Sequence, residues 1–262
     1  MLGLSKDGTV YSWGNGEYGR CGNGKTKQLI PEPVQLLQST QCIQIAAGSD
    51  HSLAVTNDGK LYAWGKNEAS QLGLGGTIIM DLNTMEAYPT LVELDGEEGY
   101  KFNNKVVRIA AGTRHSLALT RDGSVWQFGG RTYIQPTLMP VAYTRVVPDD
   151  AKEQEAAPST SSKGSSSSVP PTIGKEDVIP LKAVDIAAGD SVSGAIDANG
   201  QLFTWGRLRH SAMLGHGSTA FIPSGVRQPT RVDSLKQQGV PIATVTFGTQ
   251  HAAAVVGIPR SI

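Results

Sequence analysis

The sequence predicts an all-β fold, a β-propeller of four-stranded blades with about four blades present, and three observations carry that prediction. A unit of one length occurs three times: 48–64 (GSDHSLAVTNDGKLYAW), 112–128 (GTRHSLALTRDGSVWQF) and 189–205 (GDSVSGAIDANGQLFTW). Each copy has a turn pair at the same offset, Asp58-Gly59, Asp122-Gly123 and Asn199-Gly200. A strand of small residues precedes each one: Ile45-Ala46-Ala47, Ile109-Ala110-Ala111 and Ile186-Ala187-Ala188. Self-similarity at a long period marks a repeat architecture, in which a unit buries its apolar face only by stacking on its neighbours.

In chain order, residues 1–13 (MLGLSKDGTVYSW) carry the second half of the unit. A glycine-rich loop follows Trp13, and Pro33-Val34 marks a short closing strand. The first full copy comes next. Its small side chains let backbones crowd together, as they must near a propeller axis. Leu53 and Val55 alternate ahead of Asn57-Asp58-Gly59, with Leu61 and Tyr62 beyond it. Asp-Gly between alternating apolar runs predicts a hairpin, and the expected connection is a type I′ turn with positive φ at both central residues. A fourth strand is expected at 89–92, and its counterpart in the third copy at 229–232. In the second copy Gly129-Gly130-Arg131 replaces the long loop, and 247–256 (FGTQHAAAVV) starts a further copy that stops halfway.

The equivalent aromatics Trp13, Trp64, Phe128 and Trp205 lie 51, 64 and 77 residues apart, so the longer intervals hold insertions. One insertion spans 77–105. The other, 148–177, contains the run STSSKGSSSS at 159–168. Such a composition cannot bury enough apolar surface to offset its ordering entropy, so a disordered surface loop is expected. The domain organisation expected is blades over 1–147, the Ser-rich insertion over 148–177, and the final repeats over 178–262.

Composition excludes several function classes. Lys plus Arg and Asp plus Glu both number 23, so nothing steers the chain toward nucleic acid or an anionic membrane. No apolar run approaches the roughly 18 residues of a membrane span, and the start does not read as a signal peptide. A nuclear or cytoplasmic location is expected. Cys21 and Cys42 fit no zinc or redox spacing and are expected as buried free thiols. His210 and His216 have no ligand cluster beside them, so no metal is expected. No serine sits in a G-x-S-x-G elbow, and no covalent catalytic group stands out. Two phosphate-loop patterns overlap at 14–19 (GNGEYG) and 19–26 (GRCGNGKT). Both need a following helix to present amides to the anion, and the prolines at 31 and 33 leave no room for one. They read as repeat loops, and no cofactor is expected.

His51, His115 and His251 share one repeat position, three after the glycine. A recurring imidazole can tie strands together by hydrogen bonding; the same offset would also place all three near one face, open to a partner. Asp50 stands where other copies have Arg114 and Gln250, so the repeat does not require it. It is either a solvated loop acid or a partner contact.

The pattern Trp64-Gly65-Lys66-Asn67-Glu68-Ala69-Ser70-Gln71-Leu72-Gly73-Leu74-Gly75, with Ala46-Ala47-Gly48-x-x-His51-Ser52-Leu53-Ala54, resembles the regulator of chromosome condensation repeat. It recurs in register over nearly the whole chain outside the insertions. The resemblance implies a seven-bladed ring, with this chain similar to the C-terminal part of the founding member, the guanine nucleotide exchange factor for Ran. Residues 183–217 and 244–256 are similar to its carboxyl end. Closure protects the strand edges of a propeller, so an arc of about four blades is expected to be a fragment. Closure with a second chain and a smaller ring are the alternatives.

By the same resemblance, the expected activity is exchange by binding, without covalent chemistry: one propeller face favours the nucleotide-free GTPase. Asp50 resembles an acid that contributes to exchange, and His51, His115 and His251 fall on segments facing the GTPase. The partners implied are a small GTPase of the Ran type, and chromatin through parts outside this chain. The rival reading is a non-catalytic scaffold with the same repeats and a different partner.

Overall fold

The computed structural model describes residues 1–74, 84–93, 105–130, 139–145, 177–206, 211–217 and 226–259. Small residues, alternating apolar positions and glycine turns produce antiparallel sheets in which consecutive strands are neighbours. The first sheet holds β1 (Leu2–Leu4), β2 (Val10–Asn15) and β3 (Lys27–Pro33). The second holds β4 (Cys42–Ala47), β5 (His51–Thr56), β6 (Leu61–Lys66) and β7 (Met85–Leu91), and the third β8 (Val106–Ala111), β9 (His115–Thr120), β10 (Val125–Gly129) and β11 (Met139–Pro140). A ladder of β12 (Ala142–Arg145) and β13 (Asp177–Pro180) comes next. The last full blade is β14 (Asp185–Ala188), β15 (Val192–Ile196), β16 (Leu202–Gly206) and β17 (Val226–Arg231), followed by the pair β18 (Ile242–Phe247) and β19 (Ala252–Val256). These are propeller blades, three complete and two partial among the described residues. β7 falls inside the expected insertion at 77–105 and completes its blade. The Ser-rich run at 159–168 lies outside the described residues.

The hairpin turns depart from the expected type I′ geometry. Gly59, Gly123 and Gly200 have φ of 86°, 84° and 75°, whereas no preceding Asp or Asn has positive φ. Thr56 N donates to Lys60 O (3.0 Å) and Gly59 N to Thr56 O (2.9 Å), closing a three-residue loop. This is a type I turn followed by a left-handed glycine. Ser5 with Thr9, Thr120 with Ser124 and Asp197 with Gln201 close their loops in the same way. A side chain accounts for the choice. Asp122 Oδ1 accepts from Ser124 N (3.1 Å) and from the Thr120 hydroxyl (2.6 Å), which holds the aspartate in its right-handed form.

The same turns join one blade to the next. The carbonyls of Gly8, Gly59, Gly123 and Gly200 accept from the amides of Cys42 (3.0 Å), Val106 (3.1 Å), Ala183 (2.8 Å) and Ile242 (3.0 Å). Apolar clusters fill the junctions. Leu53, Val55, Ile109 and Phe128 share one, and Leu117, Leu119, Ile186 and Trp205 share another. Burying one such side chain fully stabilises the fold by about 1.5–3 kcal/mol.

The junction after β15 solves the packing differently. Phe247 stands where earlier blades have Ala47 and Ala111, and Gly194 stands where they have Leu53 and Leu117. A Cβ on Gly194 would lie 2.8 Å from the Phe247 ring, so the large residue has moved from one side of the junction to the other.

Candidate partner-binding rim

Alternation of strand direction places the turns 48–50, 112–114, 189–191 and 248–250 at one end of the arc, together with the loops after β2 and β6. Around the axis, Gly48, Gly112, Gly189 and Gly248 help to line a funnel of about 320 Å³. At Gly48 and Gly112 the backbone of the next blade leaves room for glycine alone. A Cβ on Gly48 would lie 2.4 Å from Gly112 O, and one on Gly112 would lie 2.5 Å from Gly189 O.

The histidines separate into two kinds. His51 and His115 are 1% and 5% exposed and lie between blades. His51 Nε2 is 2.8 Å from Ser116 Oγ of the next blade, and that hydroxyl donates to Gln71 O (2.7 Å). A hydroxyl has one hydrogen, so Ser116 accepts from His51 and the His51 proton sits on Nε2. His115 Nε2 is 3.0 Å from Ser193 Oγ in the same relation. Burial, reinforced by the proximity of His115, lowers the His51 pKa to about 4; burial lowers that of His115 to about 4 as well. Both rings are neutral near pH 7 and lie buried between blades, where their hydrogen bonds tie one blade to the next. In the third copy Val192, fully buried, takes the same position. His251 is exposed, with no blade beyond it among the described residues.

Asp50 is on the rim with its side chain 32% exposed, paired to Arg20 Nη1 at 2.9 Å. Arg20 also donates to Glu17 O (2.8 Å) and Ser49 O (3.3 Å). Its own carbonyl accepts from Ser52 Oγ and Trp64 Nε1, both at 3.0 Å, so the residue that holds Asp50 also ties its loop to the following blade. The next junction reverses the polarity: Arg114, the counterpart of Asp50, pairs with Glu68 of the preceding loop at 3.4 Å. Sequence reading passed over Arg20 and Glu68 because they lie in loops dominated by glycine. The available signal was register, since Glu17 and Glu68 both fall four residues after the blade aromatic.

The phosphate-loop patterns lead into strand β3, not a helix. His216 Nε2 is 3.0 Å from Thr204 Oγ1, and Cys21 and Cys42 are buried free thiols. Among the described residues, no group of three or more His, Cys, Asp or Glu could hold a metal ion, and no helix is long and apolar enough to cross a membrane.

Comparison with known proteins agrees with this architecture. The family model described as the regulator of chromosome condensation (RCC1) repeat matches residues 7–55, 58–119 and 199–255. The E3 ubiquitin-protein ligase HERC2 of Mus musculus is 36% identical over 135 residues, 51% of this chain and 2% of that protein. Protein pim1 of Schizosaccharomyces pombe is 30% identical over 274 residues, covering 100% of this chain and 44% of pim1. The crystal structure of Prp20p from Saccharomyces cerevisiae superposes with a TM-score of 0.65 at 25% identity, covering 99% of this chain and 54% of Prp20p. The chain thus spans about half of Prp20p, less than half of pim1 and a small part of HERC2. Matched in register over more than half its length and folded into the blades that the repeat encodes, the chain belongs to the regulator of chromosome condensation (RCC1) repeat family.

Proposed function

We propose that the chain is an interaction propeller whose turn-and-loop rim binds a small GTPase of the Ran type and speeds exchange of its guanine nucleotide. The observation that carries this reading is Asp50, a partly exposed carboxylate held at the rim by Arg20. Its segment is the one that resembles an exchange-contributing part of the founding member. One relative supports the choice of partner: the Prp20p structure was described with that protein's binding to Gsp1p and histones.

Exchange of this kind needs no reacting group. A surface that binds the nucleotide-free GTPase more tightly than the loaded form lowers nucleotide affinity by the same factor, so a hundredfold preference corresponds to about 2.7 kcal/mol of coupling. Rigid, complementary surface is the requirement. Asp50 and His251 are the contact residues in this reading, while the buried His51 and His115 keep neighbouring blades in register beneath them. Chromatin would be reached through other parts of the protein. Such a partner places the protein in the nucleus or cytoplasm.

A second reading has specific support. HERC2, an E3 ubiquitin-protein ligase, matches half of this chain, so the same rim can belong to a scaffold with another partner. The rate of labelled GDP release from Ran, with and without the chain, separates the two. Acceleration that falls at least about tenfold in Asp50→Ala, and also falls in His251→Ala, is the expected result. A folded chain that leaves the rate unchanged would sink the exchange reading and favour the scaffold.

A further inference from the structure

Trp64 is fully buried, and the cavity that takes its indole is built largely by the blade before it. Val10, Val34 and Leu37 of that blade pack around the ring, together with Ala54 of the neighbouring strand β5. Ser12 Oγ donates to Cys21 O (2.6 Å), which fixes the loop above, and Trp64 Nε1 donates to Arg20 O (3.0 Å). Gly22 closes the cavity; a Cβ there would lie 2.9 Å from Nε1. The next junction repeats the arrangement, with Phe128 against Leu72 and Gly73.

The blade β14–β17 carries the same cavity, and no described residue takes the place of the aromatic. Its volume is about 390 Å³. Leu202, Val232 and Leu235 stand where Val10, Val34 and Leu37 do, and Ala254 of β19 stands for Ala54. Thr204 Oγ1 donates to Leu214 O (2.7 Å), as Ser12 does to Cys21. Gly215 follows as Gly22 does, and Met213, the counterpart of Arg20, also lines the space. Strand β19 completes the match. It pairs with β18 along one edge, and among the described residues no strand pairs with the other.

In the three complete blades that edge is taken by the strand carrying the aromatic, always in one register. Trp64, Phe128 and Trp205 lie opposite Ser52, Ser116 and Ser193. The glycine after each lies opposite His51, His115 or Val192. Close approach requires that glycine, since a Cβ on Gly65 would lie 2.5 Å from Asp50 O and one on Gly129 2.7 Å from Arg114 O.

We infer that this cavity and the free edge of β19 together dock an extended segment of another protein, in which tryptophan is followed by glycine. The segment adds to β19 as an antiparallel strand. Its indole lies opposite Ala252 and fills the cavity, with Nε1 directed at Met213 O, and its glycine lies opposite His251. Backbone hydrogen bonds supply affinity and the filled cavity supplies selectivity. The site does not use the Asp50–Arg20 pair, so it stands or falls apart from the exchange reading.

The test is fluorescence anisotropy of a labelled peptide with the sequence of residues 60–68 (KLYAWGKNE), titrated with the full chain at concentrations where light scattering shows a monomer. The peptide should bind saturably. Trp64→Ala in the peptide should weaken binding at least about tenfold, because the cavity stays empty. Gly65→Val should also weaken it at least about tenfold, because its side chain would meet the backbone at Gln250. In the chain, Ala254→Phe places a ring in the cavity from an exposed position. That variant should lose the peptide while unfolding at the wild-type temperature or above. A peptide that binds equally well with Trp64→Ala, or a chain that binds it equally well with Ala254→Phe, overturns the inference. A chain that refuses the peptide yet associates with itself through β19 assigns this face to a second copy, and the inference falls.

Discussion

His51 and Ser116 show how much of this fold is decided by single hydrogen atoms. The Ser116 hydroxyl accepts from one blade and donates to a loop carbonyl of the same blade, so removing it orphans two buried groups together. Ser116→Ala should cost about 1–3 kcal/mol, read as a lower urea midpoint with an unchanged slope. The same imidazoles set an acid limit. With folded pKa values of about 4, below the ordinary 6.5, His51 and His115 stay neutral while their unfolded counterparts take up protons. Stability is therefore complete above pH 6.5 and declines as pH falls toward 4. Thermal midpoints across that window should drop in wild type and drop less steeply in His51→Gln/His115→Gln. An equal slope in both proteins would assign the loss to carboxylates. Asp58, held at about 2 by its hydrogen bonds from Thr56 and Lys60, acts only below its ordinary 3.8, so the two effects are separable by pH.

Among the strands and their connections, the junction between β15 and β18 offers the sharpest experiment. Earlier junctions set a leucine against an alanine; here Gly194 faces Phe247. Phe247→Ala should cost about 2 kcal/mol, because the half-buried ring leaves a gap. Gly194→Leu alone should be at least as damaging, since even a Cβ is only 2.8 Å from the ring. Together they recreate the earlier pairing. The double variant should recover most of the loss, a coupling that a double-mutant cycle on unfolding free energies measures directly. If the two losses simply add, the size exchange is not the reason for these residues. The hairpins teach a related lesson. Asp-Gly predicted the hairpins correctly but not their turn type: Asp7 and Asp122 accept local amides, and in every copy the glycine alone takes positive φ.

Considered whole, the described arc ends on a face that the inner junctions would bury. Every residue of β19 is exposed, and Val255, Val256 and Ile258 are 59%, 63% and 86% exposed. An uncovered strand with apolar side chains favours association. Light scattering of the isolated chain should therefore rise with concentration, and Val256→Lys should suppress that rise. An unchanged profile in the variant would place the sticky surface elsewhere.

The sequence by itself determined the blades. Repeat spacing, small-residue strands, alternating apolar positions and turn glycines are local signals, legible because each strand's neighbour in the sheet is its neighbour in sequence. Only the tertiary structure decided what the recurring histidines do and what surrounds Asp50. His51 meets Ser116 sixty-five residues away, and Asp50 meets Arg20 across a blade junction. Burial and pairing between blades depend on how one unit stacks on the next, and a motif repeated identically in sequence carries no record of which copy has a neighbour. His51 and His251 occupy the same repeat position; one is sealed against the next blade and the other is exposed among the described residues.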